Sequence, residues 1–555
     1  GTTVSSGTLT VGGGSAAASL GGAITVASGA TLATSSGVTN ALGDASALTV
    51  NGTLNLGSND TVGSLALTKL GGSAATLGGT ATLTTATTAA LDGGTVNTGL
   101  TAGTTLTSAG ATAVNATVSA GTSATITADN TTIGTAGKLV ADTTVNPHAT
   151  LTLAGTGPID RLGDGQALTV QSLGQVSLAG QERVGALTLT GSVTGGGNFL
   201  ADSLALNNTI VTSNLTVVNL TSSGTSEIKS TVNATGSATV LGGSLTVWSG
   251  GSLTSPVMQV NSGAVLQVGL GTSAGSLGAG TVKLATGGRL VIDRDSGLGS
   301  QTISNNIEDT DASNHGQVQK TGSGTVLLRG TNTYSGGTTI TAGKLDINAG
   351  TQLGSGAVTL AGGSLLASGT ATVANAVVVG SAGGAIEAAS STTLTLGGGV
   401  SDTPAGGVAS HGTLSKQGSG TLSLGAGSLV LDTVTVADGV LATTAANQIG
   451  DGTALTVNGT LNLGGNDTVA SLALTKVGGS AATLGGSGTL STTGTAALTS
   501  GTVNTGLTAG TTLSSSGTSV INAAATSGTG TTVSSGTLTV GGGSAAASLG
   551  GAITV

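Results

Sequence analysis

Short segments in which apolar residues alternate with Thr, Ser or Asn follow one another along the chain. Representative segments are GTLTV (7–11), ALTVNGTLNL (47–56), SLALTK (64–69), ALTLTG (186–191) and SLTVW (244–248). A period of two puts the apolar side chains on one face, as in a half-buried β-strand. No amphipathic helical pattern of any length is present, and the helix-favouring residues Glu, Lys and Arg are scarce. The pattern predicts an all-β protein.

Glycine-containing steps separate the predicted strands. Asn-Gly, Gly-Gly and Ser-Gly recur every few residues, and Gly adopts a positive φ at little cost, so these steps predict turns. The same texture continues from Gly1 to Val555 without a Pro cluster, a charge run or a linker. A sandwich or barrel closes after roughly 100–200 residues and leaves a domain boundary. A continuous solenoid is therefore the simpler interpretation.

Internal repeats support this interpretation. Residues 1–26 recur without change at 530–555, which is 529 positions later, and residues 47–106 resemble 454–513, which is 407 positions later. Each repeat contains a few short strands that cannot bury their apolar side chains alone, whereas stacked repeats share one core. We expect coils of about 20 residues, near the short end of known repeat periods.

A third pair of repeats is 96 positions apart, where 320–354 resembles 416–450 and His315 falls in the same register as His411. The repeats together predict a single β-solenoid over 1–555. Solenoids need atypical capping coils at their ends, but the two ends here, 1–26 and 530–555, are the same ordinary repeat. We therefore expect the sequence to be a segment of a longer array.

Composition agrees with a thin core made of small stacked units. The 555 residues include 102 Gly, 4 Pro, no Cys and one each of Met, Trp, Tyr and Phe. Only 6% are charged, but the hydrophobic content of 37% and the mean hydropathy of +0.37 argue against a disordered chain. The net charge of −9 without a basic stripe predicts no nucleic-acid binding. No apolar run approaches the roughly 20 residues of a membrane helix.

Residues 318–345, VQKTGSGTVLLRGTNTYSGGTTITAGKL, followed by QLGSGAVTLAGGSL at 352–365, carry a family resemblance. Lys320 before Gly-Ser-Gly-Thr, the NTYSGGTT element and Ala342-Gly343 resemble the autotransporter-associated β-strand repeat of type V secretion passengers. The copy at 416–450 lacks the Asn-Thr-Tyr element. The remaining chain is similar to long haemagglutinin-like repetitive surface proteins. The resemblance implies a right-handed parallel β-helix, export through an outer-membrane pore and display on a Gram-negative cell.

The densest acidic cluster consists of Asp293, Asp295, Glu308, Asp309 and Asp311. Paired carboxylates could hydrolyse glycosides or bind Ca²⁺. However, no Ca²⁺ repeat of the type G-G-x-G-x-D is present, and Arg289 and Arg294 lie close by. A solvated corner of the solenoid is the favoured interpretation.

The only histidines are His148, His315 and His411. No Cys and no second His at metal-ligand spacing accompany them. The equivalence of His315 and His411 in the repeat favours a turn or edge position over a metal ligand. Trp248 could stack on a sugar, but packing is favoured for both Trp248 and Tyr334. We predict no catalytic residue, no metal ligand and no cofactor.

Isolated residues beside the predicted strands complete the set of candidates. The cations Lys69/Lys476, Lys320/Lys416 and Arg329 are expected to protect strand edges against sideways pairing. Turn or stacking roles are expected for Asn51/Asn458 and Asn59/Asn466, because Asn tolerates positive φ and can hydrogen-bond along a stack.

These features predict a rigid, extracellular segment of a bacterial surface fibre, not an enzyme. Such rods would associate with one another in filaments or a biofilm matrix, pass an outer-membrane pore during export, and touch surface glycans or abiotic surfaces. Two alternatives stay open. One is a host- or carbohydrate-binding adhesin with its site in the less regular stretch 195–315, and the other is a polysaccharide-active β-helix enzyme that uses Asp293 and Asp295.

Overall fold

The structure is a computed structural model that describes residues 1–14, 18–272, 274–402, 411–478, 482–542 and 547–555. Nearly all regular elements of these residues are β-strands, and the described helices are two short 3₁₀ turns, Ser296–Leu298 and Gly350–Leu353. The chain divides into two compact units, Gly1–Met258 and Gln259–Val555. Each unit is a β-solenoid of parallel strands, which confirms the predicted fold class. One continuous column through all 555 residues stays a prediction.

In the first unit the chain visits three parallel ladders in turn. Ladder I contains Thr2–Val4, Ile24–Val26, Ala47–Val50, Ser64–Thr68, Ala89–Asp92, Thr105–Ser108, Ser123–Ile126, Thr143–Val145 and Leu168–Val170. Ladder II contains Thr8–Val11, Thr31–Thr34, Thr53–Leu56, Thr76–Gly79, Thr95–Val96, Thr112–Val114, Asn130–Ile133, Thr150–Leu153, Gln175–Leu178 and Ser192–Thr194. Ladder III contains Asp60–Val62, Leu83–Thr85, Leu100–Ala102, Thr117–Ala120 and Lys138–Val140.

Longer strands extend ladder I. They are Gln181–Leu189, Asn198–Asn207, Asn214–Ser223 and Thr231–Val240, followed by Ser252–Thr254. A further ladder beside them contains Ile210–Val211, Thr225–Ile228 and Ser244–Val247. The strand Val257–Val260 follows in sequence.

The second unit has the same organisation. Ladder IV contains Val265–Val268, Arg289–Asp293, Gln317–Thr321, Thr338–Ile340, Val358–Leu360, Val377–Val379, Val400–Ser401 and Leu429–Val430. Ladder V contains Gln301–Ile303, Thr325–Leu328, Lys344–Ile347, Ser364–Ala367, Gly384–Ala388, Thr413–Gln417, Thr433–Val436, Ala454–Val457, Ser471–Thr475, Ala496–Thr499, Thr512–Ser516, Gly530–Val533 and Ile553–Thr554. Ladder VI contains Ala371–Val373, Thr393–Leu396, Thr421–Leu424, Val440–Thr443, Thr460–Leu463, Thr483–Gly486, Thr502–Val503, Thr518–Ile521 and Thr537–Val540.

The remaining strands form smaller groups. Asp467–Val469, Leu490–Thr492, Leu507–Ala509, Ala524–Ser527 and Ser548–Gly550 form a ladder of their own. Thr281–Leu284 pairs with Ile307–Asp309, and Ser276–Leu277 precedes them.

The core is formed by side chains that pair in register from one coil to the next. Leu48 pairs with Leu65 of the next coil, and Leu65 pairs in turn with Ala89 of the coil after that. All three side chains are buried, because strands alternate inward and outward residues and the coils stack in register. The second coil is longer than the first, and the predicted coil length of about 20 residues lies between the two.

Part of the stretch 195–315, which the sequence marked as less regular, is highly regular. Asn198–Asn207, Asn214–Ser223 and Thr231–Val240 are strands of 10 residues each that pair with their neighbours. In Asn198–Asn207, two consecutive exposed residues, Asp202 and Ser203, interrupt the alternation of inward and outward side chains. This step breaks the period of two in the sequence, but pairing continues in the same register at Ser203. The pairing of Asn214–Ser223 with Thr231–Val240 contains a register shift between Val217 and Asn219.

Candidate functional site

Lys320 lies inside the second unit. In the strand Gln317–Thr321 the alternation directs Val318 and Lys320 inward, and the side chain of Lys320 is fully buried. Its Nζ donates to the carbonyl oxygens of Thr321, Gly322 (2.6 Å) and Ala342 (3.3 Å). The Thr321 carbonyl ends the strand of Lys320, the Gly322 carbonyl belongs to the turn that follows, and the Ala342 carbonyl belongs to the turn of the next coil. The ammonium group therefore fastens two consecutive turns together.

Burial sets the charge state of Lys320. Desolvation lowers its pKa to about 8, while Asp293 and Asp295 act in the opposite direction. An ammonium group has three donors, so three carbonyl acceptors satisfy it completely. An unsatisfied buried ammonium would be far more costly than this arrangement.

Lys416 repeats the arrangement in the second copy. Its side chain is also fully buried, and its Nζ donates to the carbonyl oxygens of Gln417 (3.0 Å), Gly418 (2.5 Å) and Asp438 (2.9 Å). Desolvation again lowers the pKa to about 8. The expectation that Lys320 and Lys416 protect strand edges is therefore wrong, because both side chains point into the core.

The two copies occupy different ladders. Lys320 lies in ladder IV, where it pairs with Ile292 and Ile340, whereas Lys416 lies in ladder V, where it pairs with Ile386 and Val436. The offset between the two copies is therefore not a whole number of coils. The environment of the lysine depends on the local strand–turn unit and not on the ladder that carries it.

The other cations of the predicted set directly follow strands and remain near the surface. Lys69 and Lys476 are exposed, and their protection of strand edges stays a prediction. Arg329 is partly buried, forms an ion pair of 2.9 Å with Asp346 and donates to the Asp346 carbonyl at 3.0 Å.

The NTYSGGTT element connects neighbouring coils. Asn332 Oδ1 accepts a hydrogen bond from the Ile307 N–H (2.8 Å), and its Nδ2 donates to the Gln352 carbonyl (2.6 Å). A single side chain thus bonds to the coils on both sides. Tyr334 is fully buried, and its hydroxyl lies 2.6 Å from Thr338 Oγ1, which confirms the packing role. Burial raises the pKa of the Tyr334 hydroxyl.

Two of the four predicted asparagines stack as expected. Asn59 Oδ1 accepts from the Thr82 N–H (2.9 Å), and Asn466 Oδ1 accepts from the Thr489 N–H at the same distance. Asn51 and Asn458 do not have the positive φ that the sequence suggested, nor do Asn59 and Asn466.

Buried carboxylates bind backbone N–H groups at three corners. Asp60, Glu182 and Asp467 accept hydrogen bonds from the backbone N–H groups of Leu42 (3.2 Å), Leu162 (2.9 Å) and Ile449 (2.9 Å), respectively. Each of these N–H groups lies in a turn of the preceding coil and is followed by Gly and Asp. Desolvation raises the pKa of all three acids, that of Glu182 to about 7. The sequence analysis missed these residues, although the repeated Leu/Ile-Gly-Asp step marks their partners.

The predicted acidic cluster is distributed over several elements. Asp293 ends the strand Arg289–Asp293 and accepts from the Gly271 N–H at 2.9 Å. Asp295 precedes the turn Ser296–Leu298. Glu308 and Asp309 lie on another strand, and Asp311 follows it and accepts from the Ser313 N–H at 2.9 Å. Within the described ranges, no three of these carboxylates are close enough to share a metal ion.

His315 is adjacent to a serine and an aspartate, but in the wrong order for catalysis. Its Nδ1 lies 2.8 Å from Ser335 Oγ, which donates to Asp309 Oδ2 at 2.6 Å. A catalytic triad needs the imidazole between the hydroxyl and the carboxylate. Here the hydroxyl is in the middle, so no base activates it in that way.

His411 has a different partner. Its Nδ1 lies 2.5 Å from Asp432 Oδ2, and Asp402 is the third member of a group whose ligand atoms all lie within 4.8 Å of one another. The hydrogen bond to Asp432 raises the pKa of His411. The sequence analysis singled out His411 but neither aspartate. A signal was available, because Asp432 follows His411 by 21 residues, which is about one coil.

The remaining histidine and the tryptophan have local partners. His148 adopts φ 64°, and its N–H donates to the Leu173 carbonyl at 3.1 Å, so it occupies a turn. Trp248 is half-buried, and Lys229 Nζ lies 4.7 Å from the centroid of its ring. A ligand that stacked on this face would have to displace Lys229.

Comparison with known proteins identifies one segment. Residues 318–347 match the family described as the passenger-associated-transport-repeat, in agreement with the resemblance found at 318–345. No curated protein and no solved structure matches the chain. None of the helices in the described part of the chain has the length and apolar character needed to cross a membrane. The chain thus carries, on a β-solenoid, a repeat typical of autotransporter passengers, which fits a secreted, surface-exposed passenger associated with an outer-membrane translocator.

Proposed function

We propose that the chain is a structural segment of an adhesive bacterial surface fibre. The observation that carries this proposal is the way in which successive coils are fastened, by in-register backbone ladders and by side chains such as Lys320 and Asn332 that bond to the neighbouring coil. A rod of this kind resists bending because its strands are hydrogen-bonded on both sides.

The outer surface supports the same proposal. Side chains on the outside form their own ladders, as in Asn115 Nδ2 to Asn97 Oδ1 (2.9 Å) and Asn522 Nδ2 to Asn504 Oδ1 (2.8 Å). A hydroxyl ladder elsewhere on the surface has hydrogen bonds of the same kind, at 3.3 Å between Thr526 and Thr508. These groups are neutral, so neighbouring rods meet little charge repulsion.

The burial of Lys320 and Lys416 favours association of rods. Charged residues make up 6% of the chain, and these two cations are fully buried. Edge and face charges are the usual obstacle to lateral pairing of β-structures. Neutral hydroxyl and amide faces are therefore left for contact with other copies, glycans or abiotic surfaces, as in a biofilm matrix.

An adhesin with a discrete site is the second candidate. It is favoured by one observation, the half-buried Trp248 within the stretch 195–315. An indole ring at a surface offers a stacking face for a sugar, here after Lys229 has moved away from the ring. The variant Trp248→Ala tests this candidate without changing the backbone, because loss of glycan binding with unchanged rod association would support it.

Self-association is tested on the purified chain by electron microscopy and sedimentation velocity. We expect filaments or bundles whose amount increases with concentration. The double variant Thr508→Lys/Thr526→Lys adds charge to two exposed positions of one outer ladder and should reduce association while the circular dichroism spectrum stays the same. Soluble monomers at high concentration that bind neither surfaces nor one another would contradict the proposed function.

A further inference from the structure

We propose that Asp402, His411 and Asp432 form a binding site for a divalent transition-metal ion of the Zn²⁺ class. The ligand atoms of the three residues lie within 4.8 Å of one another. Small side-chain adjustments would let one ion contact all three, since Zn–N and Zn–O distances of about 2.0–2.2 Å hold two ligand atoms no more than about 4.4 Å apart.

The fold brings the three residues to one corner. Asp402 follows the strand Val400–Ser401 of ladder IV, and His411 precedes the strand Thr413–Gln417 of ladder V. Asp432 lies at the equivalent corner of the next coil, between Leu429–Val430 and Thr433–Val436. Two coils therefore contribute ligands, so an ion at this corner would hold them together.

The corner at His315 provides an internal comparison. There the imidazole meets the Ser335 hydroxyl, which in turn donates to Asp309. At the second corner Asp432 contacts the imidazole, so the partner of the ring is a carboxylate and not a hydroxyl. The first corner thus combines an imidazole with a hydroxyl and one carboxylate, whereas the second combines an imidazole with two carboxylates.

Electrostatics favours a cation at this corner. Two carboxylates so close together repel each other, and Asp402 is buried, which strengthens the repulsion. Either a protonated His411 or a metal ion can offset it. At neutral pH a metal ion offsets the repulsion between the carboxylates better than a protonated His411, because it can bind both carboxylates and the deprotonated imidazole together.

The donor set indicates the type of metal. One imidazole nitrogen with two carboxylate oxygens suits Zn²⁺, Mn²⁺ or Co²⁺, whereas Ca²⁺ prefers oxygen ligands alone. His411 and Asp432 are both exposed, with side-chain exposures of 72% and 63%. Water can therefore complete the coordination, and the ion can enter from solvent.

Isothermal titration of the full chain with Zn²⁺ at pH 7.5 tests the site. We expect about one equivalent to bind, with at least tenfold weaker binding in His411→Gln and in Asp432→Ser. The second substitution replaces the carboxylate with a hydroxyl, the group that contacts the imidazole at the His315 corner. His315→Gln is the matched control and should bind Zn²⁺ as the unchanged chain does. Because His411 is exposed, its replacement should leave the circular dichroism spectrum unchanged.

A second readout does not depend on affinity. The chain has three histidines, so its imidazole NMR signals can be assigned by single substitutions. Co²⁺ should shift or broaden the His411 signal and leave those of His148 and His315 in place. Absence of binding by the unchanged chain, equal loss in His411→Gln and His315→Gln, or broadening of all three signals alike would overturn the proposal.

Discussion

The Nζ of Lys320 donates to the carbonyl oxygen of Ala342, which is 22 residues further along the chain, in the turn of the next coil. The same relationship joins Lys416 to Asp438 across the same number of residues. A buried lysine thus connects consecutive turns by hydrogen bonds in both copies. The family match at 318–347 contains one of these lysines, so the repeat carries its own fastening group.

Removing the fastening group should loosen the two turns. Replacement of Lys320 by Met keeps the apolar stem but leaves three carbonyls without this donor, and each unsatisfied buried group costs about 1–3 kcal/mol. The loss of a buried charge offsets part of that cost. We expect faster amide hydrogen exchange in 321–343 and a lower melting temperature. Lys69→Met, at an exposed position, should change stability by less than about 0.5 kcal/mol, and equal effects of the two substitutions would contradict the role of Lys320.

The two buried lysines should make the second unit more stable as the pH rises from 8 to 10.5. In the folded chain their pKa is about 8, below the ordinary 10.5, so the unfolded chain holds more protons in this window. Below the window both states are charged, and the folded state carries the full cost of burying the charge. The melting temperature should therefore increase between pH 8 and 10. In the double variant Lys320→Met/Lys416→Met this increase in melting temperature should disappear. If the increase remained, other titratable groups would be its cause.

Glu182 should make the first unit less stable as the pH rises from 4.5 to 7. Burial raises its pKa from 4.5 to about 7, so in this window the folded chain keeps a proton that the unfolded chain has released. Hydrogen exchange at the Arg161 and Leu162 amides, which donate to this carboxyl group, reports the local effect. Exchange corrected for its intrinsic pH dependence should show protection decreasing towards pH 7. Glu182→Gln should remove the trend, and a trend that remained would exclude Glu182 as its source.

Gly343 should be much less replaceable than Gly263, although both have a positive φ, 62° and 71°. A Cβ at Gly343 would lie 2.3 Å from the Gly324 carbonyl oxygen, whereas a Cβ at Gly263 would meet nothing within 4 Å. Both alanine variants bear the backbone cost of about 1 kcal/mol. Only Gly343→Ala also forces apart the coils that Lys320 joins. Thermal unfolding should show a clearly larger loss for Gly343→Ala, and similar losses would mean that the coils adjust freely.

Strands and repeats were predictable because their physical origin is local. The period of two and the glycine steps depend on neighbouring residues only, and the NTYSGGTT element was recognisable as written. The buried lysines were also within reach, since Lys320 has the same parity as the buried Val318. The general preference of lysine for the surface led to the wrong prediction.

The amino-acid sequence by itself determined that this chain forms short parallel strands with aliphatic interiors, because alternation and turn residues act within one coil. Only the tertiary structure decided which residues meet across coils, such as Asp402 with Asp432. The reason is that turns differ in length, so that the step from Leu48 to its partner Leu65 is shorter than the step from Leu65 to its next partner, Ala89. Contacts between coils depend on the sum of these lengths, which no local pattern specifies.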